Sequence, residues 1–333
     1  MRRILDLGQP IVKTYPQHLN LFSILSRNDD YLDWFYSNFI QLSCPKTFPF
    51  DLGKIVNYFN YDKQYPFYGG APFVQNYSEN RSSATQIIEK LIEHIKNDRY
   101  VAVYLNDFYL PYRELAKDLY HDLLIYGFDV EKAEFYILGY DKGYPTNQSI
   151  AFSSLYEAYK SANEAISSNK LPIYMTKDWV YEPNNDITVA FNKEYVVFLL
   201  KCYLESQPFV FETEDDYVFG LNVYDLICDH LRLVLETKTS LDHRAFYILW
   251  EHKKIMRDRL IYIFNNHYAL RNENLLEQSI ILERQARIIL NLAIRTKITS
   301  SLDKINEMIK RCKELKCTAE RFTENMMSIL TVA

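Results

Sequence analysis

Glycine is scarce in this chain, 8 of 333 residues. No glycine-rich phosphate loop, no GxSxG and no HExxH occurs. Those absences argue against nucleotide enzymes, serine hydrolases and zincins. Cysteine is scarce too. Five cysteines, an odd number without a CxxC, argue against a disulfide framework and a zinc site. The histidines show no metal-ligand spacing, so no metal is expected. The longest apolar runs, such as "YVVFLL" and "LIYIF", are far shorter than the roughly 20 residues that span a bilayer. No basic tract marks a nucleic-acid partner, and the net charge is −5. The start, "MRRILDLGQPIVKTYP", has two arginines but no apolar core and no small-residue cleavage site. No signal peptide is expected, and the expected location is the cytoplasm.

What is abundant is aromatic: 28 Tyr and 20 Phe. Tyrosine offers contact area with a polar tip, which suits interfaces and half-wet cavities and would suit a homodimer. A/T-rich codon usage is the plainer account. Hydrophobic content of 48% and charged content of 24% are ordinary for a globular protein with a sizeable core.

The periodicities divide the chain. Over residues 1–190 the pattern is mixed. "PQHLNLFSILSRND" and "DYLDWFYSNFIQLSC" read as two helices, the second stopped by Pro45. Residues 45–80, with Pro45, Pro49, Pro66, Gly69, Gly70 and Pro72, read as loop and short strand. "SSATQIIEKLIEHIKNDR" is a capped amphipathic helix with Ile87, Leu91 and Ile95 on one face. "YVAVYL" is a buried strand. "HDLLIYGFD" and "EFYILGYD" are two more, joined by a hairpin turn in which Asp129 is a turn former. "SSLYEAYKSANEAI" is a helix, and "LPIYMTK" through "ITVAF" is extended and ambiguous. Over 191–333 five helical patterns follow, which predicts a helical bundle. The expected class is therefore α+β, a mixed amino domain (1–190) with a small antiparallel sheet and an all-α carboxy domain (191–333) packed on it.

His121 heads an apolar strand, and Asp141 ends the next one. If these strands pair as a hairpin, the carboxylate can reach the imidazole. That would fix its tautomer and stabilise its cation, as a general base requires. A solvated polar pair at the open end of a hairpin is the plainer reading. Asp122 points to the opposite face in a regular strand and is not paired with His121.

The order helix, strand, "YVAVYLNDFYLPYRE" and then "HDLLIYGFD…EFYILGYD" resembles the papain-like fold of bacterial cysteine acyltransferases. The family named by these motifs is that of the butirosin biosynthesis protein H amino-terminal domain, with a more distant likeness to bacteriocin-leader peptidases. The likeness covers roughly residues 10–165. It implies acyl or aminoacyl transfer from a carrier-protein thioester to a small amine in natural-product biosynthesis. No cofactor is implied beyond the phosphopantetheine that an acyl or peptidyl carrier protein delivers. It also implies His121 as base and Asp141 as its orienter. Asp107, Tyr109 and Tyr112 would lie on a loop that borders the site and would be its substrate-binding residues, with a well-packed loop anchored by Pro111 as the plainer reading. The family's cysteine heads the early helix. Here that place holds Pro16, Gln17 and His18, with Ser23 further along.

Cys44 is the one cysteine before His121. It is the remaining candidate nucleophile, although "IQLSCP" sets it at the expected end of a helix, which raises a thiol pKa. His18 would be a polar stand-in at the vacant position. Two mechanisms stay open: a covalent one, and one in which His121 alone deprotonates the amine. The competing class is a non-catalytic relative that binds carrier proteins as a scaffold. A basic helical face at His252, Lys253, Arg257 and Arg259 is a candidate docking surface for such a carrier, with a solvated face as the plainer reading.

Overall fold

Alternating apolar residues draw the amino half into strands, and the 3.6-residue period draws the carboxy half into helices. In the computed structural model, which describes residues 1–49, 56–58, 71–171, 173–184, 186–208 and 216–332, the elements run as follows. First come β1 (Arg2–Ile4), α1 (Pro16–Leu25), α2 (Leu32–Ser37), β2 (Leu42–Pro45), β3 (Asn57–Tyr58) and β4 (Val74–Asn80). Next are α3 (Ile87–Lys96), β5 (Tyr100–Asn106), β6 (Tyr120–Asp129), β7 (Glu134–Asp141), β8 (Tyr144–Ala151), α4 (Phe152–Ser167) and β9 (Lys177–Pro183). Last are α5 (Lys193–Glu205), β10 (Tyr217–Phe219), α6 (Val223–Leu235), α7 (Arg244–Asn265), α8 (Glu273–Thr299) and α9 (Ile305–Val332). Pro66, Gly69 and Gly70 lie outside the described residues.

The chain forms two units. One comprises Met1–Tyr31 and Asp62–Thr188, the other Leu32–Tyr61 and Val189–Ala333. The second unit thus takes in an early segment as well as the carboxy-terminal helices.

The first unit is built on a seven-stranded sheet in the order β4-β9-β5-β6-β7-β8, with β1 also paired to β6. Every pairing is antiparallel. The sheet is larger than the small one expected from the sequence. The unexpected members include β8, "YPTNQSIA", whose residues other than Ile150 are not buried. A polar edge strand carries no apolar alternation to reveal it. β6 is long enough to pair with β5 over Tyr120–Ile125 and with β1 over Gly127–Asp129 on the same side. Gly127 permits the second contact, since a Cβ there would lie 3.0 Å from the Arg3 carbonyl oxygen. The hairpin turn is tied by Asp129, whose Oδ1 accepts from the Glu131 (3.0 Å) and Lys132 (3.3 Å) amides.

Helices cover both faces of this sheet. Asn20 of α1 donates to Asp122 Oδ2 at 3.1 Å, so α1 lies on the face to which Asp122 points. Trp179, Ala102 and Leu124 are directly opposite one another, so Asp178 lies on the other face, the one His121 shares. Tyr159 of α4 donates to Asp178 Oδ2 at 2.6 Å, which places α4 there.

In the second unit β2 pairs with β3 and β10, and the helices α5 to α9 pack around apolar positions that are fully buried. The expected helix through Cys44 stops at Ser37. Ser37 and Asn38 side chains donate back to the Asp33 and Trp34 carbonyls, and Phe39 takes a left-handed φ of 51°. The buried Arg259 guanidinium then donates to the carbonyls of Tyr36, Asn38 and Phe39. A helix whose last carbonyls are taken this way has ended, and Leu42–Pro45 continues as strand.

Candidate catalytic site

The site grows from the end of β5. Asn106 is fully buried and uses both ends of its amide. Its Oδ1 accepts from the Phe108 (3.1 Å) and Leu119 (3.3 Å) amides, and its Nδ2 donates to Asp118 Oδ1 (2.8 Å) and Ser161 Oγ (2.9 Å). This fixes a 3₁₀ turn over Asp107–Tyr109. β5 pairs Leu105 with His121, and Asp107 follows two residues later. Its carboxylate is thereby set beside the imidazole.

Asp107 Oδ2 lies 3.0 Å from His121 Nδ1 and 3.0 Å from Arg113 Nη2. The Asp107 side chain is 5% exposed and that of His121 46%. A carboxylate accepts, so in the neutral ring Nδ1 carries the proton and Nε2 keeps its lone pair. Nε2 has no hydrogen-bond partner among the described residues, and the ring is open to solvent. Arg113 also donates to the Tyr140 carbonyl of β7, and so ties the loop to the strand beside β6. An exposed base held by a buried, compensated carboxylate can take a proton from a bound nucleophile.

The carboxylate on His121 is therefore Asp107, not Asp141. The paired residues of β6 and β7 end at Leu124 and Leu138, short of His121. Asp141 makes no hydrogen bond to His121 among the described residues. Its charge is instead felt by Tyr112, whose pKa is pushed up by burial first and then by Asp107 and Asp141. Tyr109 is 38% exposed and stands edge-to-face with the exposed Phe108, centroids 5.3 Å apart. Arg113 was the residue of this loop whose role the sequence did not reveal.

His18 is buried in α1, on the face away from His121, and burial pulls its pKa down to about 3. It is a neutral core residue without access to substrate. Ser23 is buried as well. All five cysteines fall outside the first unit's segments. Cys44 is fully buried in β2, where its thiol donates to the Pro45 carbonyl at 3.6 Å. Burial and then Asp242 push its pKa far up, so it holds no thiolate to attack with.

The expected basic face on α7 is mostly interior. His252, Lys253 and Arg259 are buried, and Arg257 is bonded to Asp258 at 2.8 Å and to Glu283. Lys253 Nζ sits 2.9 Å from Tyr203 Oη and 3.0 Å from His252 Nδ1, and desolvation drives its pKa well down. These groups hold the helical unit together and present no cationic surface.

Among the described residues no helix is long and apolar enough to cross a membrane. No protein-family model matches the chain, and comparison with curated proteins finds no match.

Proposed function

We propose that the first unit is a papain-like relative of the butirosin H amino-terminal family that transfers an acyl or aminoacyl group from a carrier-protein thioester to a small amine. The reading uses no covalent enzyme intermediate. His121 Nε2 takes a proton from the amine as its nitrogen attacks the thioester carbonyl carbon. The tetrahedral oxyanion then collapses, the C–S bond breaks, and the departing thiolate takes the proton back from the imidazolium. The observation that carries it is the solvent-exposed imidazole of His121, whose Nδ1 is held by the buried Asp107. The missing cysteine is then no obstacle, because binding and a base suffice. The carrier protein supplies its own phosphopantetheine, and the expected setting is a cytoplasmic natural-product assembly.

The test is thiol release from acyl N-acetylcysteamine thioesters in the presence of primary amines. His121→Ala should abolish the enzymatic rate while the circular dichroism spectrum stays unchanged. Turnover equal to wild type would refute the reading.

One observation favours a second reading, a binding-only scaffold. The charge of Asp107 is already balanced by Arg113, so the His121–Asp107 contact is also explained as part of a structural network. A scaffold would release no thiol in any variant, and His121→Ala would still retain a carrier protein on a column.

A further inference from the structure

Tyr112 lies on the loop that delivers Arg113, directly after Pro111 in a short 3₁₀ turn. Its hydroxyl has a defined seat. A Cβ on Gly139 would fall 3.3 Å from Tyr112 Oη and 3.5 Å from Leu123 Cβ. The hydroxyl therefore lies against position 139, where an added Cβ would be a tight contact. Leu123 and His121 are two residues apart in β6 and share a face, about 7 Å along the strand. Tyr112 Oη is thus one side-chain row from the imidazole, on the same side of the sheet.

That hydroxyl makes no hydrogen bond among the described residues. A largely buried tyrosine ordinarily finds a partner for its O–H. Tyr112 is half-buried and its hydroxyl is not among the buried atoms that lack a partner, so the O–H is open to an incoming group on the same side of the sheet as His121. Arg113 compensates the nearer carboxylate, Asp107. Burial first, then the charges of Asp107 and Asp141, raise the pKa of the phenol against the opposing pull of Arg113, so it remains a donor.

We propose that the Tyr112 hydroxyl donates a hydrogen bond to the acyl carbonyl oxygen of the bound thioester and to the oxyanion that forms from it. The assignment rests on the acyl-transfer reading of His121. It names Tyr112 as a catalytic residue and Gly139 as the residue that makes room for it. In the step, the carbonyl π pair moves onto oxygen as the amine nitrogen bonds to carbon. Tyr112 stabilises that charge without giving up its proton.

Two measurements decide it. In the first, acetyl N-acetylcysteamine thioester labelled with ¹³C at the carbonyl is bound without amine, and its stretch is read by difference infrared spectroscopy. Wild type and His121→Ala should both move the bound band to lower frequency, and Tyr112→Phe should not. An identical band in wild type and Tyr112→Phe, or no bound band in wild type, overturns the proposal. In the second, turnover with a primary amine is compared. Tyr112→Phe should lower kcat by roughly 10- to 100-fold with KM changed less than about threefold. A kcat within twofold of wild type overturns it. If His121→Ala is inactive and Tyr112→Phe is not, the Tyr112 role fails alone. If His121→Ala is fully active, the base reading fails, and the infrared comparison still decides the hydrogen bond.

Discussion

Asp107 Oδ2 serves His121 and Arg113 at once, with each donor 3.0 Å from the same oxygen. One carboxylate oxygen so joins a residue open to solvent to a guanidinium that is 11% exposed. The arrangement carries a local cost. Arg113 Nε is buried without an acceptor, and Glu114, which follows, has a left-handed φ of 48°. Both features disfavour folding. Penalties concentrated on the segment that positions a candidate base are the pattern expected of a functional site.

Removing Arg113 leaves Asp107 as a buried, uncompensated charge. Arg113→Met is expected to destabilise the protein by about 3 kcal/mol, the scale for breaking a buried pair. Arg113→Lys should recover part of this. Urea denaturation of the two variants measures it.

Asn106 builds the turn that carries Asp107. Asn106→Ala removes four hydrogen bonds and strands two backbone amides, which should cost about 2–3 kcal/mol. Turnover at a temperature where the variant is still folded should fall as well, because Asp107 loses its seat. A variant that loses stability but keeps full turnover would separate the turn from the site.

Cys44 should be inert. In native protein, iodoacetamide is expected to modify Cys317, the exposed cysteine, and to leave Cys44 unmodified. Peptide mass spectrometry reads this directly. Cys44→Ala should leave acyl transfer unchanged at a cost of about 1 kcal/mol in stability.

Two buried groups on the α1 side of the sheet give opposite pH dependences. His18, pulled from 6.5 to about 3, stays neutral in the fold. Its contribution is complete above pH 6.5 and is lost as pH falls towards 3, because the unfolded chain binds the proton first. Asp122, raised from 3.8 to about 6 by burial, holds its proton longer in the fold. Its contribution is complete below pH 3.8 and is lost as pH rises towards 6. Each unmatched proton tilts stability by about 1.4 kcal/mol per pH unit. Asp122→Asn should therefore be more stable relative to wild type at pH 8 than at pH 3.5. His18→Asn should flatten the acid side of the profile. Denaturant titrations across pH 3.5–8 test both.

The strands β5, β6 and β7 were legible because their apolar runs are bounded by turn residues, and His121 stood out as a polar head on one of them. The partner of His121 was not legible. Asp107 is set by the pairing of Leu105 with His121 and by the Asn106 turn, neither of which leaves a spacing signal. Asp141 reaches His121 only in a hairpin that stays paired to its open end, and the β6–β7 pairing ends at Leu124 and Leu138. The burial of the basic residues of α7 is hidden from the sequence for a similar reason. Periodicity shows which residues share a side of α7. It does not show that Arg259 meets the carbonyl end of a helix more than 200 residues earlier in the chain.

The most direct test of the account is the tautomer of His121, read at pH 8 by long-range ¹H–¹⁵N correlation in wild type and Asp107→Ala. A proton on Nδ1 and a free Nε2 are expected in wild type, with that preference lost in Asp107→Ala. A proton on Nε2 in wild type, or spectra that do not differ between the two proteins, would contradict it, because His121 would then have no base lone pair held in place by Asp107.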